Sequence, residues 1–142
     1  MADISAFPAI TKVLQHGDNI VNLTAGAALT AGQVVGAHET GVSGEVIPHV
    51  AGAAAVVGVS LYDVASGGAA AIASVGCIVT VANADDTTAI DAGHWVTVDD
   101  NAVGGTVSVI VATLDVVGIT IDDIAGGGTG RVLIMPSPNV TP

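Results

Sequence analysis

β-Branched aliphatic residues far outnumber leucine in this chain. Val and Ile together number 36, against six Leu and three aromatic residues, Phe7, Tyr62 and Trp95. β-Branched side chains lose χ1 freedom in a helix but pack well on a pleated sheet. The 19 Gly and five Pro are spread along the chain and supply turns between short strands. We therefore predict an all-β fold, and a length of 142 residues fits a single domain.

The charge of the chain is strongly negative. Eleven Asp and two Glu face only Lys12 and Arg131, which gives a net charge of −11. Nucleic acids and anionic membranes are bound by cationic side chains, so we expect no nucleic acid and no membrane as partner. Two explanations of the acidity stay open. It is either a surface that repels unwanted neighbours or an adaptation to concentrated salt, where charges are screened within about 3 Å at about 1 M.

No targeting or membrane-spanning segment is expected. The first 18 residues lack the basic-then-apolar order of a secretory signal. The uncharged stretch from Val64 to Ala84 contains three Gly and no Leu or Phe, so we predict two strands and a turn there. Cys77 is the single cysteine, which excludes an internal disulfide and a CxxC metal pair.

An internal repeat organises the middle of the chain. VVGVSLYDVASGG at 56–68 returns as VVGITIDDIAGGG at 116–128, with seven of 13 positions identical. Upstream, LTAGQVV at 29–35 parallels IDAGHWV at 90–96. The offsets are 61 and 60 residues, as expected for a duplicated unit with a variable loop. We therefore predict one small β-barrel with an internal pseudo-two-fold repeat.

The repeat also predicts the domain organisation. Residues 1–18 precede it and are predicted to form an extended N-terminal arm, and residues 19–135 form the single β-barrel domain. The tail at 136–142, PSPNVTP, is expected to lie outside the sheet because proline lacks the amide donor.

The sequence contains no motif that predicts a catalytic, cofactor or metal site. The four His (16, 38, 49 and 94) are scattered, without a metal-binding HxH or HxxxH pair. The acidic pairs at 85–86, 99–100 and 122–123 lack the alternating carboxylates of a calcium loop, so we interpret them as turns. GGGTGR at 126–131 lacks the ending of a phosphate loop, and no GxSxG elbow is present. We predict that the protein is not an enzyme and works by binding other protein surfaces.

Several glycine-based motifs occur in a familiar order. They are HGDNI at 16–20, LTAGQVVG at 29–36, VGVSLYDVASGG at 57–68, AGHWV at 92–96 and VVGITIDDIAGGGTGRVLI at 116–134. This order resembles that of the capsid cement, or head-decoration, proteins of tailed viruses, including the lambda type. The likeness covers roughly residues 16–135. The Asp excess departs from what is expected for a bacterial phage and favours a virus of a salt-loving host.

The resemblance implies a β-tulip barrel, a homotrimer, and a place on the capsid exterior of a virion assembled in the host cytoplasm. The partner would be the major capsid protein, and the function would be to stabilise the icosahedral capsid. It also implies an arm that reaches neighbouring capsid subunits. The apolar arm residues Phe7, Ile10, Val13 and Leu14, with Pro8 favouring extended backbone, are the predicted capsid-binding residues. The open alternative is that residues 10–14 fold back as an extra strand of the barrel.

Three other classes of protein were compared with this interpretation. A lipoyl or biotinyl domain needs a lysine at a hairpin tip, whereas Lys12 lies in the arm. An extracellular or surface-layer adhesion module of a halophilic cell fits the composition but lacks the expected signal peptide. A small hydrolase lacks any catalytic constellation.

If the charge of −11 reflects a saline habitat, stability will rise steeply from low to molar salt, because screening relieves repulsion among the 13 carboxylates. Thermal melts at about 0.1 M and about 3 M chloride measure this dependence. A thermal midpoint that is unchanged or lower at high salt would instead support the simpler explanation, a surface that repels unwanted neighbours.

Overall fold

The computed structural model describes residues 13–38, 44–49, 55–83, 87–98, 106–109 and 115–137. These residues form eleven strands, numbered in chain order. The strands are β1 (Leu14–His16), β2 (Ile20–Ala25), β3 (Val34–Ala37), β4 (Glu45–Pro48), β5 (Val56–Ser60), β6 (Ala69–Ala73), β7 (Ile78–Ala82), β8 (Trp95–Val98), β9 (Val107–Val109), β10 (Val116–Thr120) and β11 (Thr129–Ser137).

Five strands close into a small barrel in the order β2-β4-β3-β5-β6, and β6 pairs back with β2. All neighbours in it are antiparallel except β2 and β4, which pair in parallel at Thr24–Glu45 and Ala25–Val46. The barrel encloses a core of short side chains, with Leu29, Val35 and Ile72 among its buried members.

The other six strands form a second sheet in the order β1-β7-β11-β10-β8-β9. All of its pairings are antiparallel. β1 is an edge strand that pairs with β7 at Leu14–Val79 and His16–Ile78, with an irregular register between the two pairs. β11 is the longest strand, and it lies between β7 and β10.

A second hydrophobic core joins the barrel to the six-stranded sheet. It contains Val34, Val59 and Ala73 from barrel strands, and Val79, Val81, Val96, Val98, Val117, Val132 and Ile134 from the sheet. Neighbouring residues of β3 divide between the cores, since Val34 packs in the shared core and Val35 inside the barrel. Because barrel strands such as β3 are buried on both faces, their sequences are runs of Val and Ala and do not alternate between apolar and polar residues.

Two glycines allow strand backbones to approach closely. A Cβ added at Gly58 would lie 2.1 Å from the carbonyl oxygen of Ala73 on β6. A Cβ at Gly118 would lie 1.9 Å from the carbonyl oxygen of Leu133 on β11. The two glycines are equivalent positions of the matched segments at 56–68 and 116–128. Each strand therefore needs a residue without a side chain at this position.

The structure confirms the predicted all-β class and the small barrel. It also contains a second, six-stranded sheet, which was not predicted from the sequence. The uncharged stretch at 64–84 contains β6 and β7 with a turn at Val75–Gly76.

The two ends of the predicted barrel domain differ from expectation. Leu14–His16, which lie within the predicted arm at 1–18, form β1. β11 continues through Pro136 to Ser137, which pairs with Val116 on β10, although the tail was expected to leave the sheet at residue 136. Pairing with β7 ends at Leu133, so the missing amide of Pro136 removes no bond on that side of β11.

The two matched blocks make corresponding contacts. In each block an Ala-Gly turn is hydrogen-bonded to the end of the strand that precedes the acidic turn. These contacts are Gly32 N to Ser60 O and Gly93 N to Thr120 O, both 2.8 Å, and Ser60 N to Gln33 O and Thr120 N to His94 O, both 2.9 Å. The bridges Leu29–Val64 and Ile90–Ile124 correspond as well. The first block lies in the barrel and the second in the six-stranded sheet, and the duplication and pseudo-two-fold axis stay predictions.

Replacing Gly118 with alanine is expected to destabilise the protein by about 3 kcal/mol, because the added methyl group forces β10 and β11 apart. Gly93→Ala is the control, since Gly93 has a φ of +80° but open space around its Cα. Its backbone strain should cost only about 1–2 kcal/mol. Chemical denaturation measures both values. A Gly93→Ala variant that is destabilised as much as Gly118→Ala would contradict close approach as the constraint.

Candidate functional site

The predicted docking residues divide between the described residues and the rest of the chain. Val13 is buried in the core shared by the barrel and the sheet, and Leu14 on β1 is half-buried against that core. Phe7, Pro8 and Ile10 lie outside the described residues. Capsid docking by this segment stays a prediction, and the structure gives Val13 and Leu14 a packing role in the domain.

Carboxylates at the turns bind backbone amides of the Ala-Gly turns. Asp63 Oδ1 accepts a hydrogen bond of 2.8 Å from Ala31 N, and Asp123 Oδ1 accepts one of 2.8 Å from Ala92 N. Each aspartate thereby ties its own turn to the turn that starts β3 or β8. Asp63 and Asp123 have a structural role at the ends of their strands.

An exposed ion pair holds the only Lys or Arg side chain within the described residues. Arg131 donates to Asp122 from Nη2 at 2.6 Å and from Nε at 2.8 Å. These side-chain hydrogen bonds hold the pKa of Asp122 below its usual value and raise the pKa of Arg131. The charge of Arg131 is therefore largely balanced within the protein.

A histidine–aspartate pair connects the barrel to the six-stranded sheet. His49 follows β4 and is 1% exposed, and its Nε2 lies 3.2 Å from Asp115 Oδ2, just before β10. A carboxylate only accepts, so this bond needs the proton on Nε2. Among the described residues, His49 Nδ1 is buried without a hydrogen-bond partner. The His49 side chain is fully buried and the Asp115 side chain is 18% exposed, which suits a structural link between the barrel and the sheet.

The outer face of the six-stranded sheet carries an apolar row. β11 alternates between buried Val132 and Ile134 and the more exposed Arg131, Leu133 and Met135. Leu133 pairs with Ile78 on β7 and Ile119 on β10, and Ile119 pairs with Trp95 on β8. Paired residues lie on the same face of a sheet. We call Ile78, Leu133, Ile119 and Trp95 the outer row.

Two further apolar side chains extend the outer row. Met135 follows Leu133 on the same face of β11, and Ile121 follows Ile119 at the end of β10. Trp95 is 42% exposed, Met135 41% and Ile121 38%, although each is large and apolar. The outer row with Ile121 and Met135 is named the outer patch. Contiguous exposed apolar surface of this kind marks sites of interaction.

Within the residues that the structure describes, no group of three or more His, Cys, Asp or Glu side chains is placed to hold a metal ion. The same part of the chain contains no helix long and apolar enough to cross a membrane.

No protein-family model matches the chain. No curated protein matches it in sequence.

The outer patch was not predicted from the sequence. The signal that could have found it is the continuous apolar run VLIM at 132–135, in which polar residues do not alternate with apolar ones. A strand whose successive residues are almost all apolar has two apolar faces, and only one of them can face the core of a two-layer protein.

Removing the buried pair should destabilise the protein without changing its fold. Asp115→Ala leaves the buried Nε2 of His49 unpaired, so we expect a loss of about 1–3 kcal/mol in the free energy of unfolding. Asp122→Ala breaks the exposed pair with Arg131 and should cost much less. Urea denaturation of both variants measures the difference, and equal losses would show that the buried pair does not tie the two sheets together.

Proposed function

We propose that the protein is a structural virion protein that decorates and stabilises an icosahedral capsid. In this proposal it binds the outer surface of the major capsid protein lattice as a homotrimer. The observation that carries the proposal is the outer patch, a row of apolar side chains left open on a strongly acidic protein. Such a surface suits binding to another protein rather than chemistry.

The polar groups of the described residues support a binding role. Four of the described aspartates are used for internal contacts. Asp63 and Asp123 hold turns, Asp115 holds His49, and Asp122 holds Arg131. A catalytic group needs a free hydrogen-bonding position aimed at a substrate. These side chains instead stabilise a rigid body that presents its surface.

The order of motifs that resembles head-decoration proteins also supports the proposal. Its two longest motifs, at 57–68 and 116–134, are the segments that make corresponding contacts in the barrel and in the six-stranded sheet. The resemblance therefore rests on segments with equivalent roles in the fold. It further implies the homotrimer, which symmetric shells accommodate at three-fold positions.

We assign the first capsid contact to the N-terminal residues Phe7, Pro8 and Ile10. Their apolar side chains gain about 25 cal/mol for each Å² buried against a partner. Val13 is already buried in the protein's own core, so it anchors the segment and is not available to the capsid.

A variant in which residues 2–12 are replaced by an equally long Gly-Ser sequence tests this contact. It keeps Val13 and β1, so we expect an unchanged thermal midpoint but loss of binding to particles, measured by co-sedimentation. Ile20→Ser, on barrel strand β2, is the control and should bind as the parent does. Full occupancy by the Gly-Ser variant would refute the docking role. A Gly-Ser variant that does not fold would support the alternative in which the segment is part of the domain.

A further inference from the structure

We propose that the outer patch is a second protein-binding surface, whose partner carries lysine or arginine side chains around an apolar centre. The inference rests on the proposed function only in taking that partner to be the capsid lattice. It is separate from the N-terminal contact, because the patch lies on strands β7, β8, β10 and β11 and on the bend after β10.

The centre of the patch has the composition of an interface core. Trp and Met are enriched at the centres of protein interfaces, and truncation of a buried Trp commonly causes the largest losses of affinity. Trp95 and Met135 are both about 40% exposed here, and Ile119, Leu133 and Ile78 continue the row from Trp95 in register across β10, β11 and β7. The sheet supports these side chains, so little conformational entropy is lost when a partner covers them.

The margin of the patch is acidic. The turns beside Trp95 and Ile121 carry Asp91, Asp122 and Asp123. Arg131 is the only Lys or Arg near them in the described part of the chain, and it is paired with Asp122. Asp91 and Asp123 are exposed, and no described ammonium or guanidinium group balances their charge. A partner with cationic side chains at these positions would add attraction to the apolar contact.

Charge also selects between possible occupants of the patch. A second copy of this chain bound through the same patch would place its own Asp91 and Asp123 opposite the same carboxylates. Like charges placed face to face oppose association. A different protein with basic side chains around its contact surface would instead be attracted by these carboxylates. We therefore assign the patch to such a partner.

Trp95 is the only tryptophan of the chain and lies in the outer row, so its fluorescence reports on the patch alone. The probe is a soluble synthetic peptide in which Lys alternates with Val, as in a β-strand. The control peptide has the same length and has Glu in place of each Lys. The Lys peptide should shift the emission of Trp95 to shorter wavelength and protect it from acrylamide quenching, and the Glu peptide should do neither. Equal binding of the two peptides, or no effect of the Lys peptide, would overturn the inference.

Two isoleucine variants localise the effect. Ile121→Asp places a charge in the patch, whereas Ile20→Asp places the same charge on barrel strand β2, and the parent residues are 38% and 36% exposed. We expect Ile121→Asp to weaken binding of the Lys peptide about tenfold or more, with Ile20→Asp close to the parent protein. Equal weakening by both variants would refute the patch as the site. An emission shift that depends on protein concentration without peptide would assign the patch to a second copy and overturn the inference.

Particle binding separates this inference from the proposed function. If the parent protein does not decorate particles, the proposed function fails while the peptide measurements still decide the chemistry of the patch. If the parent and Ile121→Asp decorate particles equally well, the proposed function stands and the patch is refuted as a capsid contact.

Discussion

The structure depends on the packing of short β-branched side chains in the core between the barrel and the six-stranded sheet. Valines supply most of this core, and two of the three aromatic residues, Tyr62 and Trp95, are exposed. Small side chains fill space only where backbones lie close together. Gly58 and Gly118 permit this approach, because the carbonyl oxygens of Ala73 and Leu133 occupy the space that a Cβ would need. The turn carboxylates Asp63 and Asp123 then hold the ends of the same strands.

The composition that builds the core also creates the surface. In the barrel, β3 places Val34 in the shared core and Val35 in the barrel interior, so both of its faces are buried. In the six-stranded sheet, β10 and β11 turn one apolar face to the core, and the other face carries Ile119, Leu133 and Met135, with no third layer among the described residues. An acidic protein with this surface repels other acidic proteins at long range and offers an apolar contact at short range. This combination favours partners of the opposite charge.

The fold class followed from the sequence, and the arrangement of the sheets did not. The excess of Val and Ile over Leu predicted strands, and the AG and VVG motifs marked the turns and strands that make equivalent contacts. The division into a closed barrel and a separate sheet depends on pairings such as Val79 with Val132, between residues far apart in the chain. Periodicity gives no information on such pairings. The patch could not be predicted for the same reason. Trp95 and Ile78 belong to one row only because β10 and β11 pair between their strands.

The central claim is that the protein holds another protein's surface through the apolar residues of the outer patch. A reconstruction of native particles by electron microscopy tests it most directly. The account predicts density for this protein on the outer surface of the shell, as trimers, with the outer face of the six-stranded sheet covered by basic residues of the capsid subunit. Particles without such density, or with the protein bound so that Trp95 and Met135 face solvent, would contradict it.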